Sequence, residues 1–311
     1  MTQAPMTQVA MTQARALAAV IVTYNRAEKL VKVLDALDAQ TCRPARIYVV
    51  DNASTDDTRA VVEGRADDRI LYLQMPRNIG GAGGFNAGMK AAYADGFELI
   101  WISDDDAYPA PDAVAKLVEG LTRFEATAHH RPSFACSAVR WIDGSWCEMN
   151  TPNTVWDWPR FYTAENRYFL VRSCSFVSVL VPRWAITQHG FPIKDYFIWF
   201  DDAEYTRRLA RTYPGIFVPD SLVIHDVGLN QGVNYGLITA DSLWKFKYGA
   251  RNETSFRRRE YGMAGVIAFA YQVRTQMREG QLPRHLRLAV YKAIWTGLWF
   301  EPKIEMPPPG G

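Results

Sequence analysis

Residues 16–51 read ALAAVIVTYNRAEKLVKVLDALDAQTCRPARIYVVD. Ala16–Val22 is a continuous run of small and β-branched residues, and Arg46–Val50 is another. Apolar runs without alternation belong to strands covered on both faces. Between them Leu30, Val33, Leu34 and Leu37 recur at helical spacing, so the segment predicts a strand, a helix and a second, parallel strand.

The same alternation continues outward. Ser54–Thr58 offers caps for a helix through Val61 and Val62, and Ile70–Leu73 reads as a third strand. Phe85–Tyr93 reads as a helix of small residues, and Leu99–Ser103 as a fourth strand ending in Asp104-Asp105-Asp106. The pattern predicts an α/β protein with a Rossmann-like, mostly parallel central sheet and helices on both faces. Ligands of such sheets bind beyond the carboxyl ends of the strands, where the polar clusters fall. Between Pro132 and Arg183 short strands and many aromatics, among them Trp141, Trp146, Trp156 and Trp158, mark a mixed half. A helix is expected from Asp201 to about Tyr213, and strand-like runs at Ile216–Val218 and Leu222–Ile224 precede His225. The expected organisation is a disordered leader (1–15), a catalytic domain (16–250, its halves meeting at 131/132), a helical extension (251–304) and a disordered tail (305–311).

With 48% hydrophobic and 22% charged residues among 311, the composition is that of a globular chain and excludes a fibrous or disordered one. Its 35 basic and 33 acidic residues leave a net charge of +2, which gives no reason to expect nucleic acid as partner. Residues 251–311 carry ten Lys or Arg against five Asp or Glu, so this end is +5 and the first 250 residues are −3. Cys42, Cys136, Cys147 and Cys174 show neither C-x-x-C spacing nor neighbouring histidines, which predicts reduced, buried thiols. The repeated Met-Thr-Gln start lacks the pattern of a secretory signal, and no apolar run approaches the ~20 residues of a spanning helix. Basic, tryptophan-bearing 284–300 predicts either a core-packing helix or a peripheral contact with an anionic membrane surface.

Two polar loops, Thr23-Tyr24-Asn25-Arg26 and Asp51-Asn52-Ala53-Ser54-Thr55-Asp56, end adjacent strands. Asp51 can accept from a base imide or a ribose hydroxyl, and equally can be a turn residue. The glycine-rich segment from Arg77 and Asn78 through Gly80, Gly81, Gly83, Gly84 and Gly88 opens a helix. Its amides can approach phosphate, or its glycines can serve close packing. A dinucleotide fingerprint would need glycine at Asn86, and a Walker loop lysine at Met89. That disfavours a nicotinamide dehydrogenase. Three adjacent carboxylates at 104–106, at a buried strand's carboxyl end, call for a cation rather than a solvated acidic turn before Pro109, and oxygen ligands suit Mg²⁺ or Mn²⁺ bridging a diphosphate. Asp201 and Asp202 follow the aromatic run Phe197-Ile198-Trp199-Phe200, where Asp201 can cap the helix and an acid beside apolar rings can act as general base. A lone histidine such as His225 is on its own more often structural.

In this order, VTYNR, VVDNASTD, RNIGGAGGFNAG, the aspartate triplet, WFDDAEY and the later histidine resemble the family 2 glycosyltransferases of GT-A fold, over residues 17–255. RNIGGAGGFNAG, SDDD, FIWFDDAEY and Tyr248–Asn252 are most similar to bacterial galactofuranosyltransferases and related rhamnosyltransferases. The resemblance implies an inverting, metal-dependent transferase acting on a nucleotide-sugar donor and a glycan or lipid-linked acceptor. It implies donor contacts at Thr23, Tyr24, Asn25, Arg26, Asp51, Asn52, Arg77, Asn78, Gly80, Gly81, Gly83, Gly84, Asp104 and Asp105. The metal, Mn²⁺ or Mg²⁺, falls to Asp104, Asp106 and His225, the base to Asp202, and acceptor contacts to Trp199 and Asp201. The family's tryptophan-rich acceptor segment is replaced here by residues 173–178, so its contacts do not transfer. UDP-galactofuranose is the first expectation for the donor and dTDP-rhamnose the alternative. A non-catalytic nucleotide-sugar-binding protein is the reading of a different class. The expected location is the cytoplasm, with the inner face of the cell membrane as its periphery.

Overall fold

The computed structural model describes residues 17–164 and 166–308. The expected leader and residues 309–311 lie outside the described residues. Among the described residues ten strands form one sheet: β1 (Leu17–Thr23), β2 (Arg46–Asp51), β3 (Ile70–Gln74), β4 (Leu99–Asp104), β5 (Ala107–Pro109), β6 (Ala135–Trp141), β7 (Asn153–Thr154), β8 (Phe169–Ser173), β9 (Val179–Pro182) and β10 (Gly215–His225). Their order is β3-β2-β1-β4-β9-β6-β10-β8-β7, with β5 paired to β10. Strands β3, β2, β1 and β4 are parallel, as the βαβ pattern requires. Strand β9 runs antiparallel to β4 and β6, whereas β6 and β10 are parallel.

All seven residues of β1 are buried, and its six apolar residues alternate between two cores. Ala18, Val20 and Val22 pack with Tyr48, Val50, Phe85 and Met89. Leu17, Ala19 and Ile21 pack with Leu30, Val33, Leu34 and Leu37 of α1 (Ala27–Asp38). A helix on each face is why this strand reads as an unbroken apolar run.

Six further helices are α2 (Thr58–Glu63), α3 (Gly80–Ala94), α4 (Ala113–Ala128), α5 (Arg183–His189), α6 (Asp201–Leu209) and α7 (Leu243–Glu279), and α8 (Arg284–Gly297) is the last. Several boundaries differ from the sequence reading. Helix α3 begins at Gly80 rather than Phe85, because its glycines lie within the helix instead of forming a loop before it. Helix α6 stops at Leu209, short of Tyr213. The two runs before His225 are one strand, with a register shift between Val218 and Leu222. The expected boundary at 250/251 falls inside α7, which breaks only at Gly262 (φ 63°).

Helices α7 and α8 share a core of Phe246, Phe269, Val273, Met277, Leu286 and Val290. On α8 the opposite side leaves Leu288 and Trp295 exposed, so the helix has both the packing face and the outer face considered above. No described helix is long and apolar enough to cross a membrane. The beginning of the expected disordered tail is docked: Glu305 pairs with Lys90 (2.7 Å) and Lys194 (2.9 Å) and accepts from Asn86 Nδ2 (3.0 Å).

The glycines of α3 do different things. A Cβ on Gly88 would stand 2.4 Å from Val20 Cγ1 and 2.8 Å from Val50 Cγ2, and one on Gly84 would stand 2.5 Å from Val22 Cγ1. These two let the helix lie directly on β1 and β2. Gly81 has open space around it. Gly88→Ala is therefore expected to lower stability by about 1–3 kcal/mol through overpacking. Gly81→Ala, freed of helical glycine's entropy, is expected to match or exceed wild type. Denaturant unfolding checks both, and an undisturbed Gly88→Ala would contradict the packing role.

Candidate functional site

The carboxyl ends of β1, β4 and β10 converge. After β4, Asp105 turns inward and is buried. It accepts from Thr23 Oγ1 (2.8 Å) and Arg26 Nη1 (3.0 Å). Arg26 also reaches Asp106 Oδ2 (2.8 Å), and Lys29 Nζ lies 3.7 Å from the same oxygen. The middle acid of the triplet thus ties β1 to β4, and Asp104 and Asp106 are left to face outward into a cleft.

One ligand atom each from Asp104, Asp106 and His225 lies within 4.8 Å of the others. His225 Nε2 is 3.2 Å from Asp106 Oδ1, and its Nδ1 is 2.8 Å from Asn150 Oδ1. Asn150 in turn donates through Nδ2 to Ser175 Oγ (2.7 Å) and presents its Oδ1 to the imidazole. Nδ1–H then donates to Asn150, and Nε2 is the ring nitrogen turned to the acids, the arrangement by which proteins orient a metal-ligating histidine. Two carboxylates and an imidazole suit Mn²⁺ or Mg²⁺ with positions left for water or phosphate oxygens. Burial, and then the charges of Asp106 and Asp105, push the Asp104 carboxyl well above the usual range. Burial also opposes ionisation of Asp106. The hydrogen bond and charge of His225, with Arg26 and Lys29, outweigh it and hold that carboxyl below the ordinary value. A cation would relieve the repulsion that Asp104 feels.

The second acid pair lines the same cleft of about 670 Å³. The N-cap position of α6 belongs to Phe200, in the left-handed conformation (φ 71°), and not to Asp201, which is the first helical residue. Asp202 Oδ1 accepts from the amide of Ala203 (2.6 Å). Burial raises Asp201 to about 8, assisted by the charge of Asp202 and held back by amide hydrogen bonds. Burial raises Asp202 to about 6, against the pull of its amide partners. The pair therefore splits near neutrality into one ionised and one protonated carboxyl.

Only some of the expected donor residues reach the cleft. Arg26, Gly81 and Asp104 line the cleft, together with the acceptor candidates Trp199 and Asp201. Thr23, Asp51, Asn52, Asn78 and Gly80 build its support. Asp51 Oδ1 accepts from the Ser54 amide (2.9 Å), and its Oδ2 takes the Tyr72 hydroxyl. Asn52 Nδ2 donates to the Gly80 carbonyl (3.2 Å), and Asn78 Oδ1 accepts from the Gly80 amide (2.8 Å). Asn25 Oδ1 accepts from the Thr55 amide (2.7 Å), which joins the two polar loops. Tyr24 and Arg77 are exposed, and a Cβ on Gly83 would press on Ile79 at 2.9 Å. Sequence reasoning did not select Asn150, Ser173, Arg207 or Glu253, which also line the cleft. Ser173 opens the segment 173–178 whose contacts did not transfer, and the other three sit in no recognisable motif.

Galactofuranosyltransferase GlfT1 of Mycolicibacterium smegmatis is 42% identical over 122 residues, 39% of this chain and 40% of that protein. The chain thus matches less than half the length of that relative. N-acetylglucosaminyl-diphospho-decaprenol L-rhamnosyltransferase of Mycobacterium tuberculosis is 24% identical over 232 residues, 66% of this chain and 74% of the other. The crystal structure of S. aureus TarS 1-349 in complex with UDP superposes with TM-score 0.57 at 14% identity, covering 91% of this chain and 80% of that one. GalNAc-T7 with UDP, GalNAc and Mn²⁺ gives 0.54 at 14% identity, covering 79% of this chain and 52% of that one. These likenesses identify the fold as GT-A-like. The model of the Glycosyl transferase family 2 matches residues 18–179, just over half of the sequence, and the chain belongs to that family.

Proposed function

We propose that this transferase is metal-dependent and inverting, and moves a hexosyl group from a nucleotide diphosphate to a glycan or lipid-linked acceptor in the synthesis of a cell-surface polysaccharide. The observation that carries the reading is that the Asp104–Asp106–His225 cluster and the Asp201–Asp202 pair line one cleft. Asp104, Asp106 and His225 would hold the cation, whose positive charge stabilises a departing diphosphate. Arg26 at the cleft wall supplies a second positive group for the phosphates. Asp202 takes the proton of the acceptor hydroxyl as it attacks, in one displacement without a covalent intermediate. Asp201, protonated near neutrality, is placed to donate a hydrogen bond to the acceptor rather than to compete for that proton. The enzyme then works in the cytoplasm, at the inner membrane face if its acceptor is lipid-linked.

UDP-galactofuranose is the first donor to try, in line with the 42% identity to a galactofuranosyltransferase. The longer match to a rhamnosyltransferase supports dTDP-rhamnose as the second. A panel of nucleotide sugars with Mn²⁺ or Mg²⁺, read by donor consumption and by the anomeric configuration of the product, tests the proposal. Transfer with inversion, abolished by a strong chelator, is expected. Retention, or full turnover in chelator, would contradict it.

The base assignment has its own signature in pH. A base works when deprotonated, so with Asp202 at about 6, turnover should be low below that pH, rise through it and level above. Asp202→Asn should cut turnover by about 10²–10⁴-fold and remove this acid limb. Donor affinity should stay close to wild type, and the melting temperature should hold or rise because a buried charge is gone. Near-normal turnover in Asp202→Asn together with collapse in Asp201→Asn would reverse the two roles.

A further inference from the structure

The segment Tyr248-Gly249-Ala250-Arg251-Asn252 lies in α7, and most of it is not accounted for by the cleft. Asn252 is completely buried. Its Nδ2 donates to three backbone carbonyls, those of Tyr196 (2.9 Å), Ile198 (3.1 Å) and Trp199 (2.9 Å). Its Oδ1 accepts from Nε and Nη2 of Arg251 (3.0 and 2.8 Å). An amide oxygen facing a guanidinium leaves no doubt which end is NH₂. Arg251 Nη2 also donates to the carbonyl of Asp195 (2.8 Å).

What this amide gathers is an uncomfortable piece of chain. Phe197, Trp199 and Phe200 have φ of 65°, 65° and 71°, in the left-handed region that bulky side chains avoid. A non-glycine backbone stays there only when its surroundings impose it. Three neighbours do so. Ala82 of α3 donates its amide to the Phe197 carbonyl (3.1 Å). Gly80 admits that carbonyl so closely that a Cβ would sit 2.1 Å from its oxygen, and a Cβ on Gly249 would stand 2.9 Å from the Trp199 ring. The chain then enters α6 directly at Asp201 and Asp202.

We infer that Asn252 is a positioning residue for the acid pair: by collecting the carbonyls of Tyr196, Ile198 and Trp199 it holds the aromatic loop in its left-handed path and sets where Asp201 and Asp202 stand in the cleft. The α7 helix is on this account part of the reacting apparatus, and its link to α3 through Phe197 ties the acid pair to the glycine helix. The kinetic arm of the test rests on the transferase reading, whereas the exchange arm needs no substrate.

Asn252→Asp has the same shape but turns an oxygen toward three carbonyl oxygens. Amide hydrogen exchange at 198–204 should accelerate by about tenfold or more, with β1 and β4 exchanging as in wild type. Turnover should fall by about 10²-fold, since small misplacements of reacting groups cost that much, and the donor KM should stay within about twofold. Wild-type exchange and turnover in the variant would overturn the inference. So would acceleration spread equally through β1 and β4, which marks general loosening. If wild type turns over no nucleotide sugar, the transferase reading falls and the exchange data alone decide the role of Asn252. Should Asn252→Asp lose its cooperative thermal transition, Asn252→Ser, which keeps one donor, is measured by the same criteria.

Discussion

Burial of carboxyl groups beside one another is the constraint around which this cleft is arranged. Asp104, Asp105 and Asp106 are adjacent, and Asp104 also feels the charge of Asp201 from the far side of the sequence. Burying such groups without compensation is costly. The fold answers in three ways. Thr23 and Arg26 hydrogen-bond Asp105, Arg26 and Lys29 bring positive charge to Asp106, and the first turn of α6 lends amides to its acids. What these contacts offset only in part, at Asp104 and the α6 pair, is where the proposed cation and acceptor proton would have their chemical use.

That arrangement depends on elements distant in sequence. Asn150, from the mixed half, orients His225, and Asn252, from the helical end, holds the loop before Asp201. The chain therefore does not divide at 250/251 into a catalytic body and an accessory. Tyr235, Gly249 and Glu253 line the same cleft as the aspartates, and Glu305 near the end of the described chain returns to Lys90 of α3.

The sequence made the parallel half legible because burial on both faces leaves a simple trace: β1 and β2 are unbroken apolar runs and α1 repeats at helical spacing. The aspartate triplet was legible for a similar reason, since acids rarely follow a buried strand without purpose. The start of α3 was not, because glycine has poor helix propensity, and only the contact of Gly84 and Gly88 with the valines of β1 and β2 accounts for their presence there. Local capping rules placed Asp201 at the N-cap, but the left-handed Phe200 takes it, imposed by hydrogen bonds from a helix some fifty residues away. Asparagine carries no pattern by which Asn150 and Asn252 could have been picked out for these roles.

The account stands or falls on whether Asp104, Asp106 and His225 hold a divalent cation. Titration of the protein with Mn²⁺, followed by electron paramagnetic resonance with and without a nucleoside diphosphate, measures this directly. The account predicts one site, tightened by the diphosphate and weakened by about 10-fold or more in His225→Ala. Wild-type affinity in His225→Ala, or no bound Mn²⁺ even with the diphosphate present, would contradict it.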